Sequence, residues 1–125
     1  MKVTDIAFTC YPVTDLRRAR RFYEGRLGLK KARFFGADDK GFVEYDIGAG
    51  TLGIGNGAPD WNPSPGGGSV ALEVEDFAAA IALLKTNGCR FRLEPLETPV
   101  CHMAIVSDPD GNSILIHRRK SGRTP

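Results

Sequence analysis

Three oxygen-bearing side chains stand at alternate positions near the end of the chain, in the sequence SDPDGNSILIH. Asp108, Asp110 and Asn112 have the spacing with which a calcium-binding loop begins. An EF-hand loop also needs a glycine at its sixth position and a bidentate glutamate at its twelfth. Counted from Asp108, the glycine comes at the fourth position and the twelfth is Arg119. The pattern therefore predicts a hairpin turn, in which the Asp108 carboxylate accepts from the turn amides.

The other groups that could do chemistry are cysteines and histidines. Cys10, Cys89 and Cys101 are odd in number and scattered, and no CxxC pair indicates zinc or a redox couple. We interpret them as reduced thiols. Cys101 and His102 are adjacent, so on a strand they point to opposite faces and cannot act on each other. The sequence does not decide which of the two faces a site.

Four arginines crowd one short segment, at positions 17, 18, 20 and 21. They could form a phosphate-binding surface. They could also be the solvated face of a helix, and we favour this second interpretation because no aromatic residues interleave them. The net charge of +2 is too small to indicate a nucleic-acid partner.

Length and composition indicate one globular domain over residues 1–125, with 42% hydrophobic and 26% charged residues. The longest apolar runs fall far short of the ~20 residues of a membrane span. The N-terminal sequence lacks the apolar stretch of a signal peptide. We therefore expect a cytoplasmic protein with no membrane partner.

A repeat organises the elements that must position these residues. VTDLRRA begins at Val13 and VEDFAAA begins at Val74, an offset of 61. Each copy follows an alternating, strand-like segment and leads into an amphipathic helix. Thr14 or Asp15 can cap the first helix and Glu75 or Asp76 the second, and glycines end both helices.

Three short strands are predicted after each helix. They cover about residues 30–36, 41–47, 50–56, 89–94, 101–107 and 113–118. Segment 58–68 has the Pro and Gly density of a linker. The chain is therefore predicted to be α+β, with two tandem βαβββ modules. The expected bounds are module one 3–57, linker 58–68, module two 69–119 and tail 120–125.

Several motifs occur in the order and spacing of a known family. VTDLRRARRFYEGRLGL, GGGSVALEVEDFAAAIALLKTNG and DPDGN before the last strand together resemble the vicinal oxygen chelate superfamily. Its members include glyoxalase I, extradiol dioxygenases, and fosfomycin and bleomycin resistance proteins. The resemblance implies a glyoxalase/bleomycin resistance-like fold, in which curled mixed sheets surround a cavity with the helices outside. It also implies a homodimer.

The metal enzymes of this superfamily place their ligands on the first and fourth strand of each module. By that resemblance, the positions here are Phe8, Ser69, Leu115 and either Gly53 or Ile54. None of them is His, Glu or Gln. A divalent ion needs three or four converging donors, so we expect no metal and no other cofactor.

Strand alternation predicts the residues that line a ligand cavity. Phe42, Glu44 and Asp46 share the more polar face of their strand, and Gly53 leaves room for a ligand. Trp61, in the linker, could be a lid or could cover the core edge. The predicted ligand-binding residues are Phe8, Cys10, Glu44, Gly53, Trp61, Ser69, Glu73, Leu115 and His117.

Parallel pairing of the first and last strands of module two would place Glu73 near His117 or Arg119. The pair could transfer protons or could be an ion pair at the cavity rim, which we favour. Glu73, His102 and His117 are thus weak catalytic candidates.

Three functions compete. The first is a metal-free protein that sequesters or senses a small, partly aromatic or cationic ligand, attracted by Glu44, Asp46 and Glu73 and stacked on Phe8 and Trp61. The alternative is a lyase- or dioxygenase-like enzyme with a relocated metal or an acid–base pair drawn from Glu44, Glu73, His102 and His117. The third is a subunit that regulates a partner through its arginine-rich helix.

Overall fold

A computed structural model describes residues 1–2, 4 and 6–120. The chain divides into two compact units, Met1–Pro63 and Ser64–Pro125. The boundary between them falls within the Pro- and Gly-rich segment 58–68. Val3, the first residue of predicted module one, and the predicted tail beyond Lys120 lie outside the described residues.

The first unit contains one four-stranded sheet with the strand order β1-β4-β3-β2. Strand β1 is parallel to β4, and the other pairs are antiparallel. A helix, α1, and a π-helical segment connect β1 to β2. The elements are β1 (Thr9–Pro12), α1 (Leu16–Arg20), the π-helical segment (Arg21–Arg26), β2 (Lys31–Ala37), β3 (Lys40–Ile47) and β4 (Gly50–Gly55).

The second unit repeats this arrangement with the strand order β5-β8-β7-β6. Here β5 is parallel to β8 and the other pairs are antiparallel. The predicted α+β class and the tandem βαβββ modules are confirmed, as two separate and open mixed sheets. The elements are β5 (Val70–Glu73), α2 (Phe77–Thr86), β6 (Arg90–Glu97), β7 (Cys101–Ser107) and β8 (Ser113–Arg119).

Strand β6 is longer than predicted, because it continues through Pro95 to Glu97. The pairing of β6 with β7 is irregular between Leu93 and Leu96. β6 is also an edge strand of its sheet. A proline lacks a backbone N–H, and edges and irregularities are the places where a sheet tolerates it.

The structure selects one cap for each helix. The Asp15 carboxylate accepts a hydrogen bond from the backbone N–H of Arg18, and the Asp76 carboxylate accepts one from Ala79, both at 3.0 Å. Aspartate at this position satisfies an N–H group that the first turn leaves unpaired. Gly28 follows the first helix with φ 76°, a conformation that favours glycine.

The π-helical segment explains why two adjacent aromatic residues are both buried. The backbone N–H of Leu27 bonds to the carbonyl of Phe22, five residues earlier, at 3.0 Å. This wider turn places Phe22 and Tyr23 together in the core with Leu16 and Ala19. In α2, by contrast, Leu84 is the one buried residue.

The DPDGN segment is the predicted hairpin turn, between β7 and β8. The Asp108 carboxylate is buried and accepts hydrogen bonds from the backbone N–H of Asp110 at 2.9 Å and of Asn112 at 2.8 Å. The Asn112 side-chain amide donates a third, at 2.8 Å. Internal donors therefore occupy both carboxylate oxygens of Asp108. Among the described residues, no helix is long and apolar enough to cross a membrane.

Candidate functional site

Each sheet has one face covered by the helix of its own unit and one face turned away from it, which we call the helix-free face. On the first sheet the helix side is marked by Tyr45, whose ring stacks on Tyr23 at 6.1 Å. On the second it is marked by His102, whose ring lies 5.6 Å from Phe77 in α2. The predicted ligand-binding residues lie mostly on the helix-free faces.

Two cross-strand rows build the helix-free face of the first sheet. The first row runs from Cys10 through Gly53 and Glu44 to Arg33. The second row runs through Pro12, Gly55, Phe42 and Phe35. Residues that pair directly across strands share a face and are close enough to interact.

Phe42 fills the space that the glycines leave. A Cβ atom added at Gly53 would lie 2.3 Å from Cζ of the Phe42 ring, and one at Gly55 would lie 2.7 Å from its Cδ1. The expectation that Gly53 leaves open room for a ligand is therefore wrong. The glycines instead let an aromatic ring lie directly on the sheet.

Phe42 belongs to an aromatic cluster. The Phe8 ring meets it edge to face, with ring centroids 5.8 Å apart. The Trp61 ring also lies over Gly55, because its Cζ3 is 3.3 Å from a Cβ added there. We call Phe8, Phe42 and Trp61 the aromatic shelf. Phe8 is 48% exposed, so the aromatic shelf presents a contiguous apolar surface rather than a single exposed side chain.

The carboxylates of Glu44 and Asp46 already hold a cation, Arg33. The Arg33 Nε lies 2.5 Å from Glu44 Oε1, and Nη1 lies 3.0 Å from Asp46 Oδ2. Nη2 contacts the other oxygen of Asp46. Hydrogen bonds from Arg33 and Thr51 lower the pKa of Asp46. Because Glu44 and Asp46 already pair with Arg33, they are less free to attract a positive ligand group than the sequence predicts.

Sequence reasoning missed Arg33. Alternation along β2 and the register set by the turn at residues 38–39 would have placed it opposite Glu44. Cys10 lies at the other end of the same row. Burial raises the pKa of the Cys10 thiol, so it is kept protonated rather than activated as a nucleophile.

The matching rows of the second sheet are mostly apolar. One row joins Ala71, Leu115, Ile105 and Leu93. The other joins Glu73, His117, Met103 and Leu96. Leu115 is half-buried, and Ser69 is exposed directly before β5.

Glu73 and His117 form the predicted pair. The Nδ1 atom of His117 lies 2.6 Å from Glu73 Oε1, and the backbone N–H of Arg119 donates to Glu73 Oε2 at 2.7 Å. Burial disfavours the ionised carboxylate, but the bonds from Arg119 and His117 outweigh it and lower the pKa of Glu73. The other ring nitrogen, Nε2 of His117, is buried and has no hydrogen-bond partner among the described residues.

His102 does not join this pair. Its ring contacts Phe77 on the helix side, whereas Glu73 and His117 lie in a row with Met103, which follows His102 and has the opposite orientation. Of the three catalytic candidates, only Glu73 and His117 are therefore placed to act on each other. Cys101 is the member of the Cys101–His102 pair on the helix-free side, and its Sγ lies 3.2 Å from Thr98 Oγ1.

The strand register also decides between the two family metal positions on β4. Gly53 pairs with Cys10 as Leu115 pairs with Ala71, whereas Ile54 is buried in the core. The four positions are therefore Phe8, Gly53, Ser69 and Leu115. Within the described part of the chain, no three His, Cys, Asp or Glu side chains are grouped as a metal site.

The arginine-rich segment lines a groove of about 340 Å³ beside α1. Arg20 is bound to Glu24 by two hydrogen bonds, of 2.7 and 3.2 Å. Glu24 and Asp38 line the groove together with Leu16 and three of the arginines. Acidic groups therefore offset much of the positive charge.

Comparisons with known proteins identify the family. Among solved structures, the chain is similar to TnmS3, an antibiotic binding protein from Streptomyces sp. CB03234. The identity is 24% and the TM-score 0.80, over 96% of this chain and 99% of that one. A glyoxalase/bleomycin resistance protein from the same organism is 25% identical, with a TM-score of 0.75 over 91% and 100% of the two chains.

UcmS2 is 19% identical, with a TM-score of 0.75 over 93% of this chain and 98% of that one. No curated protein matches the chain by sequence. The model of one protein family matches residues 5–116. The chain therefore belongs to the glyoxalase/bleomycin resistance protein/dioxygenase superfamily.

Proposed function

We propose that this protein binds a small, flat, partly aromatic molecule on the aromatic shelf, without a metal ion, and so sequesters or senses it. One observation carries the proposal. Phe8 remains 48% exposed while its ring contacts Phe42, which lies on side-chain-free backbone. A flat ring added there would bury apolar surface, which contributes about 25 cal/mol of binding free energy per Å². It could also adopt the offset-stacked or edge-to-face arrangement that aromatic rings prefer.

The comparisons support a small-molecule ligand. One similar structure is of an antibiotic binding protein, and the superfamily includes bleomycin resistance proteins. At the family metal positions, Phe8, Gly53 and Leu115 offer no side-chain donor atom, which supports binding by shape and stacking. The ligand we propose therefore resembles a planar antibiotic fragment more than a metal-chelating substrate.

The sole tryptophan gives a direct assay, because Trp61 is part of the shelf. Flat aromatic compounds, bleomycin-type glycopeptides included, are titrated while Trp61 emission is followed. A ligand at about 100 times its Kd adds roughly 2.7 kcal/mol of stability, which raises the melting temperature by several degrees. If no compound in a broad panel quenches Trp61 emission or raises the melting temperature, the proposal is refuted.

Two variants locate the site. Phe8→Ala removes the exposed ring and should weaken a bound compound by about tenfold, equivalent to about 1.4 kcal/mol. Leu83→Ala removes an apolar side chain of comparable exposure (56%) on α2 and should leave affinity unchanged. Equal losses in both variants would show that the compounds bind apolar surface without specificity.

The proposal that no metal ion takes part in binding has its own test. Protein purified without a metal-affinity tag should hold less than about a tenth of an equivalent of Zn, Ni, Fe or Mn. Binding of a compound should also be unchanged by a chelator. Near-stoichiometric metal in this sample would overturn this part of the proposal.

A second candidate function is acid–base catalysis by Glu73 and His117. The pair is favoured by the 2.6 Å contact at Nδ1 and by the unpartnered Nε2 atom. When Nδ1–H donates to the Glu73 carboxylate, Nε2 carries the lone pair and can accept a proton. Any turnover found with family substrates should be lost in His117→Gln and kept in His102→Gln. Retention in both variants would exclude this role.

We also propose that the protein is cytoplasmic, as the sequence leads us to expect, and that it is a homodimer, as the family resemblance implies. Light scattering after gel filtration should give twice the chain mass of 13.6 kDa. A particle of the monomer mass at micromolar concentration would contradict the dimer.

A further inference from the structure

Arg33 is a cation fixed between two carboxylates. All three guanidinium nitrogens are engaged, with Nε bound to Glu44 and both Nη atoms bound to Asp46. Thr51 Oγ1 donates a further hydrogen bond to Asp46 at 3.0 Å. Arg33, Glu44 and Asp46, which we call the ion cluster, carry two negative charges and one positive charge.

The ion cluster borders the aromatic shelf directly. Glu44 pairs across strands with Gly53, and the Phe42 ring lies on Gly53. A planar ligand stacked on Phe42 therefore has its edge next to the Glu44–Arg33 pair. Both groups belong to the first unit and to the same face of its sheet.

The exposed part of the ion cluster is chiefly Arg33 and Asp46. Their side chains are 43% and 49% exposed, whereas Glu44 is only 14% exposed. A guanidinium has five N–H donors, so Arg33 keeps two for a ligand once Glu44 and Asp46 have taken three. A ligand at this edge can thus receive a hydrogen bond from Arg33.

We propose that Arg33 makes the shelf selective for uncharged planar rings that carry an acceptor oxygen. This inference rests on the proposed function. A cationic ring would have to displace Arg33 from three hydrogen bonds to the two carboxylates, and hydrogen bonds between charged groups are the stronger ones. An anionic ring meets a cluster whose net charge is negative. The uncharged ring meets neither cost and gains the free N–H donors.

Three matched probes test the charge preference. Anthracene carboxamide is uncharged, anthracene carboxylate is anionic and aminomethylanthracene is cationic, while the ring is the same. Their binding is followed by quenching of Trp61 emission. The wild-type protein should bind the carboxamide at least about tenfold more tightly than the amine.

Arg33→Gln should reverse the discrimination. With the guanidinium gone, Glu44 and Asp46 are free to pair with the amine, and the amine-to-carboxamide affinity ratio should rise by about tenfold or more. Arg33→Lys, which retains the positive charge, should restore the exclusion of the amine. Arg17→Gln removes an equal charge from the exposed face of α1 and should leave the ratio unchanged.

The outcomes separate this inference from the proposed function. Carboxamide binding with the same amine ratio in wild-type and Arg33→Gln protein would overturn the role of Arg33 and leave shelf binding intact. If no probe quenches Trp61 or shifts the melting temperature, shelf binding fails and the inference fails with it. If Arg33→Gln does not fold, Asp46→Asn replaces it. That variant makes the ion cluster neutral and should tighten the carboxylate probe severalfold, and no change would refute the charge argument.

Discussion

In the first unit Arg33 and Glu44 pair across neighbouring strands, whereas the matching pair in the second unit is Leu93 and Ile105. Next to them Gly53 corresponds to Leu115, because each pairs with the first strand of its own unit. The two sheets have the same strand order and the same directions of pairing. The two units thus share their backbone arrangement but differ in the side chains on the helix-free faces.

The second pair of rows also carries different side chains in the two units. Phe42 and Gly55 in the first unit correspond to Met103 and His117 in the second. Where β4 has glycines, a ring from β3 lies on the sheet; where β8 has a histidine, a carboxylate from the parallel strand binds it. The difference teaches that the side chain on β4 or β8, the strand beside the first strand of each unit, decides whether a face stacks rings or holds a carboxylate–histidine pair.

The helix sides of the two sheets should be equivalent, and the largest predicted effect tests this. Ile54 and Ile116 occupy matching positions and are 0% and 2% exposed. Truncation to alanine should cost about 2–5 kcal/mol of unfolding free energy in each case, measured by urea denaturation. A cost below about 1 kcal/mol at either site would show that the cores of the units are not equivalent.

Gly55→Ala should disturb the first helix-free face. The new Cβ would lie 2.7 Å from the Phe42 ring and 3.1 Å from the Gly41 carbonyl oxygen, which is backbone and cannot rotate away. We expect a loss of about 1–3 kcal/mol by urea denaturation and weaker binding of ring probes. Gly25→Ala, with no atom within 4 Å of its new Cβ, is the control and should not destabilise. Full stability of Gly55→Ala would contradict the packing of Phe42 on β4.

Glu73→Gln should disturb the second helix-free face by about 1–2 kcal/mol, since the charged acceptor of two hydrogen bonds is lost. The folded protein lowers the Glu73 pKa below its ordinary value of 4.5. The stabilisation is therefore complete above about pH 4.5 and is lost as the pH falls through the folded-state pKa. Wild-type and variant melting temperatures should converge in acid.

The matched control for Glu73→Gln is Glu94→Gln. Glu94 pairs with Lys85 at 2.8 Å, but both side chains are more than half exposed, and such a pair contributes about 0–1 kcal/mol. A stability difference at Glu73 that stays constant down to strong acid would show that its charge does not matter.

The smallest effect concerns the helix caps. Asp15→Ala and Asp76→Ala each remove one 3.0 Å cap bond and should each cost about 1 kcal/mol. Asn and Ser replacements should recover most of it in thermal melts. Unequal losses would show that the two helix starts, although alike in sequence, differ in how much they stabilise their units.

Local patterns predicted most of the fold. The repeated Asp before each helix, the glycines after it and DPDGN in the last hairpin specify their structures through short-range bonds, as Asp108 shows. Glu73 and His117 were found because parallel pairing fixes which residues meet. The π-helical turn and the length of β6 were missed, since both depend on packing rather than on residue period.

The candidate site was predicted less well. Alternation gives the face of a residue but not what covers it, so the Phe42 ring on Gly53 could not be foreseen. Arg33 is not recognisable from residue type alone, because its partnership with Glu44 depends on the β2–β3 register that the turn at residues 38–39 sets. Alternation also left open which of Cys101 and His102 faces a site, and the pairing of β7 with β8 places His102 on the helix side.

The tyrosines, three in number, and the single tryptophan all fall within Met1–Pro63. Tryptophan fluorescence and absorbance near 280 nm consequently report on one half of the chain, and the half that holds Glu73 and His117 is silent in both. Amide circular dichroism sees both halves. Superimposable melting curves from the two spectroscopies would mean that the halves unfold together, and an earlier amide transition would mean that the silent half unfolds first.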